Sequence, residues 1–167
     1  MIGGIRMKRL FFVTLLLTVL ASSALAQQGA SFTTATGETL TTAEMRGKVV
    51  VMVFSAVNDP QCRDEFKMLQ SLFERYSRSN KVDFFWVSTD AAGSVNEAQW
   101  KSPCGATGGI PILRDPNRAA FKQFGARQLP TIIILSQQGQ VVGGARGGFS
   151  PNANFAADLS TVIDSLL

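Results

Sequence analysis

Two cysteines and no histidine bound the chemistry open to this 167-residue chain. Without histidine there is no Ser-His-Asp triad, no Cys-His pair and no His-ligated zinc or copper site. Two thiols, Cys62 and Cys104, are too few ligands for a structural zinc centre, so no metal and no cofactor is expected. Thiols can instead exchange with disulfides, pair with each other, or react singly with an oxidant. Cys62 stands in a pointed setting, Asp59-Pro60-Gln61-Cys62-Arg63. Asp59 suits a helix N-cap and Pro60 the first helical position, with acidic residues following in the first two turns. Such a cap stabilises a helix by about 1 kcal/mol. The same carboxylate disfavours a thiolate at Cys62, an effect that the positive charge of Arg63 partly offsets.

The elements that position these residues can be read from periodicity. Lys48 to Ser55 and Val82 to Thr89 are short, uniformly apolar and β-branched runs, the pattern of strands buried on both faces. Between them, Asp59 to Ser79 carries Phe66, Leu69, Leu72, Phe73 and Tyr76 at helical spacing. A small hairpin over 31–40 and one helical turn over 42–45 are expected before this unit. After it come a short helix from Val95 to Lys101, a strand at 110–113, a helix from Pro116 to Phe124 closed by Gly125, and a strand from Thr131 to Leu135. A turn at Gln137-Gln138-Gly139 leads into a strand at Val141-Val142, and a helix runs from about Pro151 to Leu166. Buried strands alternating with amphipathic helices predict an α/β fold, a central mixed β-sheet flanked by helices on both faces with an N-terminal β-hairpin extension.

The first 26 residues read differently. Arg6, Lys8 and Arg9 precede the apolar run Leu10–Leu20, and Ala24-Leu25-Ala26 is a small-x-small cleavage pattern. This is the layout of a secretory signal peptide, cut before Gln27, with the run too short to span a bilayer. Residues 27–167 then form one domain, periplasmic or secreted, that meets a membrane only through its leader. Three of the 16 basic residues lie in the leader, leaving 13 against 12 acidic ones, so nothing points to nucleic acid. Export makes a disulfide possible by compartment.

Six segments, in order, resemble the thioredoxin superfamily, in particular its exported TlpA-like and redoxin (AhpC/TSA-related) branch. Gly37 through Gly47-Lys48-Val49-Val50 is similar to the opening hairpin and strand entry. Phe54 to Arg63 (FSAVNDPQCR) resembles F-W-A-x-W-C-x-x-C-R, Val87 to Asp90 resembles V-S-x-D, and Pro111 to Pro116 resembles P-x-x-x-D-P. Phe124 to Thr131 (FGARQLPT) resembles the aromatic-Gly segment that carries the family's cis-proline, and Ser136 to Val141 the hairpin after it. The resemblance implies a thioredoxin-like fold over 27–167. It places Asp59 at the family's nucleophilic cysteine and Cys62 at the resolving one, a degenerate C-x-x-C that cannot close a disulfide within the turn. Both tryptophan positions are also changed, to Ser55 and Asn58, and Val53 stands where thioredoxins proper keep a buried aspartate.

The resemblance implies a thiol–disulfide oxidoreductase, with Cys62 and Asp59 as the catalytic candidates. Pro60, Leu129 and Pro130 would form the substrate-binding groove, Pro130 being cis. Partners would be protein thiols or disulfides, or an extended peptide segment pairing with the Leu129 backbone. Three readings stand: one-cysteine redox chemistry through Cys62, a non-catalytic module using the cis-proline groove, or a one-cysteine thiol peroxidase. The last lacks the threonine that peroxiredoxins usually carry at the position of Asp59. Asp59 is either an ordinary cap or a carboxylate assisting Cys62, and Cys62 either a vestigial thiol or a redox site. The helix from Val95 is expected to carry the chain to the opposite sheet edge, putting Cys104 beyond the ~7 Å Cα separation a disulfide allows. The glycine-rich 143–148 segment lacks the Lys-Ser/Thr of a phosphate loop and reads as a flexible turn; Phe84-Phe85-Trp86 reads as buried strand.

Overall fold

The computed structural model describes residues 29–105 and 109–167. The leader expected over 1–26 lies outside the described residues. Seven strands form one sheet: β1 (Ser31–Thr34), β2 (Thr39–Thr41), β3 (Val49–Ser55), β4 (Val82–Ser88), β5 (Ile112–Arg114), β6 (Thr131–Leu135) and β7 (Arg146–Gly147). Their spatial order is β2-β1-β5-β4-β3-β6-β7. β3, β4 and β5 run parallel, whereas β6 is antiparallel to β3 and the β1–β2 hairpin is antiparallel to β5. The sheet is therefore mixed, as the sequence pattern predicts.

The uniform apolarity of β3 has a direct structural cause. All seven of its residues are buried, and it pairs with β4 on one side and β6 on the other. Alternate side chains serve two cores. Val49, Val51 and Val53 pack with Phe66, Leu69 and Leu72 of α1 (Cys62–Tyr76) and with Leu159 and Ile163 of α4 (Ala153–Asp164). Val50, Met52 and Phe54 face Phe32, Met45 and Phe121, the last from α3 (Ala119–Gln123). Helices thus cover both faces of the sheet.

Three elements depart from the sequence reading. The Thr42–Met45 stretch forms successive turns rather than helix, and Gly47 closes it at φ +92°. α3 starts at Ala119, three residues after Pro116, because buried Asp115 caps it: Oδ1 accepts from the N–H of Ala119 (2.8 Å) and Ala120 (3.3 Å), and Oδ2 from Phe121 (2.8 Å). The strand expected at Val141-Val142 is reduced to a single bridge between Leu135 and Val141. Gly143 and Gly144, both with φ near +70°, turn the chain away. It rejoins β6 at Arg146-Gly147, so the glycine-rich segment holds the edge strand β7 rather than only a turn.

Asp115→Ala leaves three N–H groups, two of them buried, without their acceptor. It should lower unfolding stability by about 3 kcal/mol, read as a shifted urea midpoint, with Asp115→Asn losing less.

Candidate active site

The parallel strands β3 and β4 end together at Ser55 and Ser88, so the loops after them share one sheet edge. Three contacts anchor the loop after β3. Thr89 N–H donates to Ser55 O (2.9 Å), Val57 N–H donates to Asp90 Oδ2 (2.9 Å), and Ser88 Oγ holds that carboxylate (2.8 Å). Asp59 N–H donates to Ala56 O, and Asp59 then organises the next turn. Its Oδ1 accepts from Gln61 N–H (2.8 Å) and its carbonyl from Cys62 N–H (3.0 Å). Asp59 thus caps a turn and not, as expected, the helix itself, whose N-cap is Gln61 with no side-chain cap bond. The turn it caps precedes the α-helix proper, which begins at Cys62 instead of Pro60.

Cys62 is 1% exposed, and it is bonded to Cys104 in a disulfide with a Cα–Cα distance of 5.9 Å. The expectation that Cys104 lies out of reach is therefore wrong, and Cys62 is not a lone thiol. The reason is length. The helix after β4, α2 (Glu97–Lys101), has only five residues and rises roughly 7.5 Å. It cannot carry the chain to the far edge. Nor need it, since β5 enters the sheet opposite Trp86, midway along β4. The chain stays beside the start of α1, where Pro103–Gly105 makes a 3₁₀ turn with Cys104 at φ +59°. Nothing in local sequence pattern signals that pairing; the shortness of α2 was the available clue.

Glu65, a residue the sequence reading passes over, lies one turn after Cys62 on the same helix face. It is fully buried at 0% exposure, on the side of the sheet where Ser55 and Trp86 point. Both Glu65 oxygens, Ser55 Oγ and Trp86 Nε1 are buried and complete no hydrogen bond among the described residues. Loss of hydration pushes the Glu65 carboxyl up to about 7; proximity to Ser55 and Trp86 opposes this, and the Asp59 charge adds to it. An acidic residue inside the Cys62–Phe66–Leu69 stripe was the sequence signal.

Across the same edge, the Leu129–Pro130 peptide bond is cis, as the resemblance implied. Thr131 pairs with Phe54, which sets Pro130 level with Ser55, the last residue of β3. Pro130 is buried and its carbonyl accepts from Gly148 N–H (2.8 Å), while Leu129 packs half-buried against the Phe54 core. A cleft of about 400 Å³ beside the disulfide is lined by Asp59, Pro60, Arg63, Asp64 and Cys104, among others. No group of three or more Cys, Asp or Glu among the described residues is placed to hold a metal.

A mixed sheet with a cysteine at the first turn of the helix after its central strand, and a cis-proline just before the antiparallel strand beside it, is the thioredoxin-like arrangement. The backbone superposes on a thioredoxin-like protein from Aeropyrum pernix with a TM-score of 0.67 at 19% identity, covering 92% of this chain and 97% of that one. It superposes on dsbF of MTB with a TM-score of 0.64 at 21% identity, covering 83% and 96% respectively. The model of the AhpC/TSA family matches residues 25–143, and the chain belongs to that family. A thiol-disulfide oxidoreductase ResA from Halalkalibacterium halodurans is 25% identical over 114 residues, 68% of this chain. That match spans 62% of the relative, less than two thirds of its length.

Glu65 binds its proton more tightly in the folded chain than in the unfolded one, where a carboxyl titrates near 4.5. Its contribution to stability is therefore full below pH 4.5 and falls away as pH rises to about 7, then levels off. Glu65→Gln should match the parent at pH 4 and exceed it at pH 8 by up to about 3 kcal/mol. Urea unfolding at the two pH values measures the difference.

Proposed function

We propose that this chain is an exported thiol–disulfide redox protein in which Cys62 pairs with Cys104 in place of a partner at position 59. The observation that carries the reading is the Cys62–Cys104 disulfide at the start of α1, with the buried Glu65 one helical turn further on. Cys62 sits where the N–H groups of a fifteen-residue helix favour negative charge, so its thiolate is a good leaving group when the disulfide is attacked. Glu65, protonated below about pH 7 and on the same helix face, can supply the proton that thiolate takes up. Asp59 serves by shaping the turn and adds negative charge at the site.

The substrates on this reading are protein dithiols or disulfides, approached along the edge that Pro60, Leu129 and Pro130 line. The Arg6–Arg9, Leu10–Leu20 and Ala24-Leu25-Ala26 pattern supports a leader over 1–26, a domain over 27–167 and a periplasmic or secreted site of action. An oxidising compartment is also where a disulfide persists.

Equilibration of the purified protein with a dithiol/disulfide buffer should give a reversible two-electron couple between about −120 and −270 mV, the span of catalytic pairs. A potential below about −300 mV, as structural disulfides have, would make the bond a staple and end the redox reading. Asp59→Cys supplies a third thiol three residues before Cys62. It should divert part of the population from the Cys62–Cys104 bond, seen as Cys104 becoming open to alkylation in unreduced protein.

A further inference from the structure

We propose that Cys104 is the sulfur that exchanges with substrate, and that Cys62 is the buried thiol that closes and opens the bond behind it. The inference rests on the redox reading above and assigns the roles within the pair. Access separates the two sulfurs. Cys62 is 1% exposed and packed among Val53, Phe66 and Leu69, so an incoming thiolate cannot reach it along the line of the disulfide. Cys104 is half-buried and forms part of the cleft wall, opposite Asp59, Pro60 and Arg63. Position 59 is filled by a carboxylate already engaged with Gln61 N–H, so the accessible sulfur comes from across the cleft instead.

Backbone setting separates them as well. Cys62 opens α1, whose apolar stripe is locked into the core. Cys104 sits in a three-residue 3₁₀ turn in a left-handed conformation, outside any α-helix or strand. A mixed disulfide on Cys104 can form by movement of that turn, whereas one on Cys62 requires the start of α1 to leave the core.

In the oxidising direction, a substrate thiolate attacks Cys104 Sγ. A substrate–Cys104 disulfide forms, the Cys62–Cys104 bond breaks, and its electron pair passes to Cys62 Sγ, which is protonated from Glu65. A second substrate thiolate then attacks the substrate sulfur of the mixed disulfide and Cys104 departs as a thiolate. The two substrate thiolates are oxidised by two electrons to a disulfide, and the protein is left with a thiol at Cys62, a thiolate at Cys104 and an ionised Glu65; Cys104 and Glu65 then take protons from solvent. With a substrate disulfide, the steps run in reverse and Cys104 is the nucleophile. The substrate class is a protein dithiol or disulfide, with the reacting sulfur held at the cleft.

The test uses glutathione as the probe. Oxidised protein is exposed briefly to glutathione, quenched with acid, and the free thiol alkylated. Peptide mass spectrometry should find glutathione on Cys104 and the alkyl group on Cys62 in at least about tenfold excess over the inverse. In parallel, Cys62→Ser should react with glutathione disulfide at least about tenfold faster than Cys104→Ser. Glutathione mainly on Cys62, or Cys104→Ser reacting faster, would overturn the assignment while leaving a redox-active pair. If glutathione attaches to neither cysteine in oxidised protein and a reducing dithiol also leaves the bond intact, the assignment fails together with the redox reading.

Discussion

β3 is the strand on which every other position depends. It is hydrogen-bonded on both sides and covered on both faces, so it must be apolar throughout and its register cannot slip without exposing one of two cores. It ends at Ser55, level with Ser88 of parallel β4. The chain after each strand therefore emerges at one edge. Antiparallel β6 starts at that edge too, just after Pro130. The Asp59 turn, the start of α1, the Asp90 anchor and the cis-proline meet there because three strand ends do.

The site at that edge is a compromise between folding and reactivity. Asp59 makes a well-bonded turn ahead of α1 and leaves no sulfur at position 59. The disulfide to Cys104 supplies a sulfur from another segment. Glu65 is the cost that no local rule of helix formation explains. A carboxyl at 0% exposure that completes no hydrogen bond among the described residues lowers stability as the pH rises to about 7.

Much of this was legible without coordinates. The apolar runs of β3, β4 and β6 and the stripes of α1 and α4 are set by burial, which periodicity reports directly. Boundaries were less legible where a side chain decides them. Asp115 moves the start of α3 by reaching three N–H groups at once, and the paired positive-φ glycines displace the last strand from Val141 to Arg146. Both are local facts, yet each competes with another plausible local signal, Pro116 in one case and an apolar pair in the other.

The linear order of residues by itself determined the α/β class, the mixed sheet, the two-cysteine limit on chemistry, and Asp59 as the organiser of the turn before Cys62. It did so because burial and capping act over a few residues. The tertiary structure alone decided that Cys104 meets Cys62 and that Glu65 is sealed beside them. Those pairings depend on where β5 enters the sheet and how far a five-residue helix can carry the chain. They are distances between segments 42 residues apart, which no short-range pattern encodes.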